Sequence, residues 1–147
     1  MFRGRHDHTI DQKGRLSIPA GFRTELQRQS ERAPMLTISK DHLELYPRDD
    51  YEAMERDLAA KPDLQPEVQA YRRLFIGQAT ECPIDSQGRI LVAPPLREHA
   101  QLKNKVTVVG NLKKIEIWQT DLFDKEMKST LARLEEIQRS VDKGSDH

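Results

Sequence analysis

The sequence predicts an α+β fold made of two tandem repeats, each combining short strands with a short helix. Three observations carry that prediction. The stretch Ile10-Asp11-Gln12-Lys13-Gly14-Arg15-Leu16-Ser17-Ile18-Pro19 returns as Ile84-Asp85-Ser86-Gln87-Gly88-Arg89-Ile90-Leu91-Val92-Ala93-Pro94. The residues downstream of each copy match as well. Phe22-Arg23 answers Leu96-Arg97, Leu36-Thr37-Ile38 answers Val106-Thr107-Val108, and Leu43-Glu44-Leu45-Tyr46 answers Ile115-Glu116-Ile117-Trp118. Between the copies lies the one Pro-rich stretch, Lys61-Pro62-Asp63-Leu64-Gln65-Pro66. Two copies that mix strands with helix speak for a tandem duplication rather than a solenoid.

Taken in order, residues 1–8 are mixed and basic and enter a first strand near His8. Ile10 to Pro19 reads as strand, tight turn and strand: Gly14 supplies the positive φ of a short loop, and Pro19 stops the second strand. Ala20 to Gln27 suits a short helix with Phe22 and Leu26 on one face. Ser30 to Pro34 is turn-like. Met35 to Ser39 and Leu43 to Tyr46 alternate as strands around the turn Lys40-Asp41-His42. Asp49 or Asp50 is a plausible N-cap for a helix bearing Tyr51, Met54 and Leu58. Glu67 to Phe75 is helical by the spacing of Val68, Tyr71 and Phe75, with Gly77 at its end.

The second copy repeats the turn at Gly88, and Pro94-Pro95 opens its short helix. Asn104 to Val109 and Lys114 to Trp118 read as strands around a Gly110-Asn111 turn. From Thr120 one long helix is expected, its apolar stripe running Leu122, Phe123, Met127, Leu131, Leu134, Ile137 and Val141 and covering the core. The polar end, Lys143 to His147, is expected to fray. The chain thus divides into a first repeat over 5–50, a helical linker over 51–78, a second repeat over 79–122, and a C-terminal helix and tail over 123–147.

At 147 residues, 36% hydrophobic and 33% charged, the chain has room for one modest core under a charged surface. No apolar run approaches the roughly 20 residues of a membrane helix, and the first residues lack a signal peptide's apolar centre. A single cysteine, Cys82, excludes an internal disulfide and fits a reducing compartment. The expectation is a soluble cytoplasmic protein. Net charge is zero but unevenly spread. Residues 1–30 carry six Lys/Arg against three Asp/Glu, and residues 68–119 eight against four, while 31–67 reverse this with five against ten. Balanced totals therefore hide basic turn-bearing ends in both halves.

These residues resemble a known family. Met1-Phe2-Arg3-Gly4, Asp11 to Pro19, Glu81 to Arg89 and Leu96-Arg97-Glu98-His99-Ala100 are similar to the MraZ family of bacterial transcriptional regulators, built from two SpoVT/AbrB-type domains. The resemblance implies two AbrB-like swapped-hairpin repeats interlocked into one pseudo-two-fold unit of the double-split β-α-β type, with flanking helices. It implies a ring-like homo-oligomer, associated with the nucleoid, on direct repeats of double-stranded promoter DNA upstream of the division and cell-wall gene cluster. Carried over by position, the DNA-contacting residues are Lys13 and Arg15 in the first loop and Arg89 in the second, where Gln87 stands in the place of Lys13.

The chemistry of these side chains agrees with that role. Arginine's planar fork can donate to guanine O6 and N7 together, and a two-stranded ribbon enters the major groove. Lysine suits phosphate contact. Arg15 is therefore the base reader and Lys13 the positioning residue, although basic residues on a single turn more often only solvate it. Asp11 and Asp85, with Gly14 and Gly88, support the turns: each carboxylate bonds its own turn's backbone or pairs with the next arginine along. The alternatives are a protein-interaction or scaffold module of the same fold, and a small hydrolase using Asp11 and Asp85, which exposed turn positions do not favour. His6 and His8 lack the third and fourth ligands of a zinc site, Cys82 reads as a buried thiol, and Tyr71-Arg72-Arg73 as a solvated face. No cofactor, metal, small-molecule substrate or enzymatic activity is expected.

Overall fold

Strands of the two repeats cross over and complete each other's sheets. The computed structural model describes residues 1–145. The first repeat contributes β1 (Arg5–Thr9), β2 (Arg15–Ser17), α1 (Ala20–Gln29), β3 (Met35–Ile38) and β4 (Leu43–Tyr46), and α2 (Arg48–Ala59) and α3 (Pro66–Phe75) link it onward. The second contributes β5 (Thr80–Glu81), β6 (Arg89–Leu91), α4 (Pro94–Ala100), β7 (Lys105–Asn111) and β8 (Lys114–Gln119), and α5 (Thr120–Ala132) and α6 (Leu134–Ser145) follow it.

A 6-stranded antiparallel sheet runs β1-β7-β8-β4-β3-β5. Exchanging each strand for its repeat mate reverses this order onto itself, so a pseudo-two-fold axis passes between β4 and β8, where Glu44 faces Glu116. The outer strands are swapped: β1 lies on the second repeat's β7, and β5 on the first repeat's β3. A separate 2-stranded ribbon pairs β2 with β6. Side chains alternate across a strand, so Leu43, Leu45, Ile115 and Ile117 enter one core with Leu16, Ile18, Ile90 and Val92 of the ribbon. Behind the sheet, Tyr46, Tyr51 and Phe75 form a second, aromatic cluster under α2 and α3. This is the α+β, interlocked-repeat architecture that the duplication and the family resemblance imply.

Several local expectations change. The stretches at Gly14 and Gly88 are not hairpins of their own strands. The first one's flanks keep an Ile10–Leu16 bridge and the bond from Asp11 N–H to Arg15 O at 3.1 Å, but no ladder, because Ile10 donates to Asn104 O and β1 continues along β7. Helix α2 starts two or three residues earlier than expected, with Pro47 at its N-cap; Asp49 and Asp50 sit in its first turn, where they complement the dipole. Strand β7 runs through Gly110 and Asn111, and Leu112, at φ 61°, makes the turn. The last helix is two helices, broken at Arg133 (φ −114°, ψ 17°). Phe123 is buried, whereas Met127, Leu131, Leu134 and Val141 are exposed, so the stripe does not cover this chain's core. The expected frayed tail is helical through Ser145, and Asp146 and His147 lie outside the described residues. Among the described residues no helix is long and apolar enough to cross a membrane.

Candidate functional site

The duplicated turns end up at opposite ends of one ribbon. In β2–β6, Arg15 pairs with Leu91, Leu16 with Ile90, and Ser17 with Arg89. Val92 donates to Gly14 O at 2.8 Å and Ile18 to Gly88 O at 3.0 Å, closing the two ends. Leu16 and Ile90 are buried beneath, which turns Arg15, Ser17, Arg89 and Leu91 to the outer face. Arg15 and Arg89 are diagonal neighbours on that face, about 7–8 Å apart at Cα. Lys13 stands off one end and Gln87 off the other, both exposed. At 3.2–3.4 Å per residue the two loop glycines are roughly 13 Å apart along the ribbon, comparable with the roughly 12 Å width of a DNA major groove.

Each turn is built by its aspartate. Asp11 Oδ1 accepts the N–H groups of Lys13 and Arg15 at 2.9 Å each, and its Oδ2 accepts Arg15 Nε at 2.6 Å. Asp85 repeats the pattern with Gln87 N and Arg89 N at 2.9 Å and Arg89 Nε at 3.1 Å. The two roles left open for these aspartates are thus filled together. The backbone N–H of Arg15, helped by its guanidinium, holds the Asp11 carboxyl below its usual range, and Arg89 does the same for Asp85. Both ion pairs engage the Nε edge of the guanidinium. The terminal Nη fork, the part that matches guanine O6 and N7, is left to other acceptors.

Two further arginines belong to the site and were not singled out from the sequence. Gly14 (φ 88°) and Gly88 (φ 79°) occupy the left-handed region, and each is overlain by an arginine of the other repeat. Arg97 of α4 donates to Gln12 O at 3.3 Å, and a Cβ on Gly14 would stand 2.8 Å from its Nε. Arg23 of α1 lies against Gly88 in the same way. Arg97 Nε is buried without a hydrogen-bond partner. The available signal was the repeat itself, since Phe22-Arg23 and Leu96-Arg97 are matched pairs. Lys13, Arg15, Arg23, Arg89 and Arg97 together outweigh Asp11 and Asp85, so the outer end of the molecule is cationic despite the neutral total.

Other candidates fall elsewhere. Arg72 is spent inside the fold, donating to Leu58 O at 2.6 Å and to Asp63 Oδ1 at 2.6 Å, which ties α3 to the end of α2. Burial pushes the Cys82 thiol up to about 11, consistent with an inert side chain. His6 packs edge-on against Phe22. His6 and His8 join no group of three metal-ligating side chains among the described residues. Asp11 and Asp85, at opposite ends of the ribbon and each bound to its own turn, do not converge as a hydrolase would require.

Comparison with known proteins is consistent across the whole chain. The family model described as MraZ protein, antitoxin-like, matches residues 1–74 and again residues 75–142. The chain is 42% identical to the transcriptional regulator MraZ of Actinobacillus pleuropneumoniae serotype 5b over 134 residues, covering 90% of this chain and 86% of that protein. It is 39% identical to the protein of the same name in Thioalkalivibrio sulfidiphilus, over 85% of this chain and 84% of that one. With its namesake in Haemophilus influenzae it shares 38% identity over 99% of this chain and 95% of the other.

Proposed function

The chain belongs to the MraZ family, and from that premise we propose that it is a DNA-binding transcriptional regulator that reads double-stranded DNA with the outer face of the β2–β6 ribbon. The observation that carries this is the diagonal placement of Arg15 and Arg89 on one exposed face, each held at Nε by its own aspartate. The role is non-enzymatic, as the relatives are named for regulation. In this assignment Arg15 and Arg89 read base edges, Lys13 contacts phosphate, Gln87 makes the neutral counterpart contact, and Arg23 and Arg97 hold the loops in shape. Asp11, Gly14, Asp85 and Gly88 are the supporting turn.

The target is direct repeats in the promoter of the division and cell-wall gene cluster, and the working form is a homo-oligomeric ring in the cytoplasm, on the nucleoid. A single ribbon makes few phosphate contacts. Several ribbons on one ring bind successive repeats at high effective concentration. The apolar side chains left uncovered on α5 and α6 support self-association. The repeats are assigned as 5–50 and 79–122, with 51–78 as helical linker and 123–147 as C-terminal extension.

Fluorescence anisotropy with DNA from the protein's own operon promoter tests the proposal. Wild type binds tightly and salt-dependently, ignores scrambled DNA, and binds more weakly on Arg15→Ala or Arg89→Ala. Equal binding by wild type and both variants, or no binding by wild type, would leave the protein-interaction module of the same fold as the better account.

A further inference from the structure

On the sheet face away from the ribbon, the pseudo-two-fold axis brings two carboxylates together. Glu44 of β4 and Glu116 of β8 are direct cross-strand partners, an arrangement in which like charges repel. Both are nonetheless largely buried, with side chains 9% and 13% exposed. His42, at the start of the same seam, points Nε2 at both: 3.2 Å from Glu44 Oε2 and 3.8 Å from Glu116 Oε2. The three ligand atoms lie within 4.8 Å of one another. Bonds of 2.0–2.1 Å at tetrahedral angles place ligand atoms about 3.3–3.4 Å apart, so the two separations bracket that edge.

The surroundings fix these atoms as a ligand's supporting shell would. Tyr46 OH donates to Glu44 Oε1 at 2.8 Å and Trp118 Nε1 donates to Glu116 Oε1 at 2.9 Å. Each carboxylate is thereby anchored by one oxygen and turns the other toward His42. The imidazole is itself clamped, stacked on Trp118 with centroids 4.2 Å apart and planes 9° from parallel. Its Nδ1 is buried without a partner, and Nε2 is the nitrogen that faces the two carboxylates. Anchored carboxylate oxygens and a locked imidazole are what gives a metal site its affinity. Two groups share the inner oxygens: Lys114 Nζ donates to Glu44 Oε2 at 2.6 Å and Asn111 Nδ2 to Glu116 Oε2 at 2.9 Å. Lys114 is 28% exposed on a flexible stem and can withdraw to solvent. Its ammonium stands in for the positive charge that two facing glutamates require.

We propose that His42, Glu44 and Glu116 form a site for a divalent transition-metal ion of the zinc class, with Tyr46 and Trp118 as positioning residues and Lys114 as the competing internal cation. An imidazole with two carboxylates is a nitrogen–oxygen set that zinc accepts. The ion would join His42 and Glu44 of the first repeat to Glu116 of the second, across the seam on which the interlocked fold depends. The site is independent of the DNA-reading role and stands or falls apart from it.

The test uses full-length protein stripped with chelator, then titrated with Zn²⁺ against a chromophoric competitor, with thermal unfolding monitored in parallel. One ion per chain and a higher melting temperature with zinc are expected. His42→Gln and Glu116→Gln should each weaken binding at least about tenfold, and Trp118→Phe, which removes a positioning donor, by about 10–100-fold. Lys114→Met should tighten binding, because it removes the competitor. His6→Ala and His8→Ala should change nothing. Cobalt provides a readout free of stability effects, since Co²⁺ held here should show tetrahedral visible absorption in wild type that His42→Gln abolishes. A wild type that takes up no ion would overturn the proposal and leave an ion-pair cluster only. So would uptake that persists in His42→Gln and Glu116→Gln.

Discussion

The loops Asp11–Gly14 and Asp85–Gly88 share their internal bonds and differ in what surrounds them. In both, the aspartate takes two backbone N–H groups and one arginine Nε, and the glycine stands at positive φ under an arginine from the other repeat. The differences lie at the tip and behind the glycine. Lys13 faces solvent in the first loop where Gln87 does in the second. A Cβ on Gly14 would meet the Val92 carbonyl at 2.6 Å, whereas one on Gly88 would first meet the movable Arg23 side chain. The residues that give the loop its shape are duplicated and those that set its charge are not. A ribbon closed at both ends needs the same turn twice, while phosphate attraction tolerates unequal ends.

The sharpest way to separate the loops is through their glycines. Alanine at a left-handed position costs roughly 1–2 kcal/mol, and Gly14→Ala adds a clash with backbone that cannot swing away. Urea unfolding should therefore show a larger loss for Gly14→Ala than for Gly88→Ala. Equal losses would mean that Arg23 is as rigid as a carbonyl. The arginines test the sameness of the loops rather than their difference. Arg15→Ala and Arg89→Ala should each weaken promoter binding by about 1–3 kcal/mol with little change in folding. A loss confined to one of them would reduce the reading face to half the ribbon.

Charge should show up in salt dependence. Lys13→Gln should lower the slope of log affinity against log salt by about one, and Gln87→Lys should raise it by about as much. No change for Gln87→Lys would put the second tip away from phosphate. The smallest effect concerns acid. A carboxyl whose folded pKa is depressed contributes stability that is present above its unfolded value and lost as pH falls through the folded one. Asp11 and Asp85 are both depressed, each first of all by a backbone N–H of its own turn. Asp11→Asn and Asp85→Asn should flatten the acid limb of the stability curve to a similar, modest extent. Unequal flattening would break the equivalence of the two turns.

Much of this was legible locally. The aspartate-glycine-arginine pattern specifies its own turn, because the bonds of Asp11 and Asp85 reach only two and four residues ahead. Alternating apolar residues marked β3, β4, β7 and β8. Arg23 and Arg97 were visible as repeat mates but not as parts of the site, since Arg97 meets its loop across 85 residues. The break at Arg133 was hidden by an apolar spacing that runs through it unchanged. The meeting of His42 with Glu116 requires β4 to lie beside β8, which no local pattern states. Glu44 illustrates the consequence. Burial alone would push its carboxyl up, but hydrogen bonds from His42, Lys114 and Tyr46 outweigh it and hold it down to about 2.

The sequence by itself determined the duplication, the two aspartate-bound turns and the residues with apolar faces to bury. Tertiary structure alone decided which strand each turn would serve. The turn at Gly14 has the same internal bonds whether β2 pairs with its own neighbour or with β6, so local energetics do not discriminate. Discrimination comes from long-range burial: Leu16 against Ile90 in the ribbon, and β1 laid along the open edge of β7. That choice turned two expected hairpin tips into one face, and set Glu44 opposite Glu116 on the axis behind it.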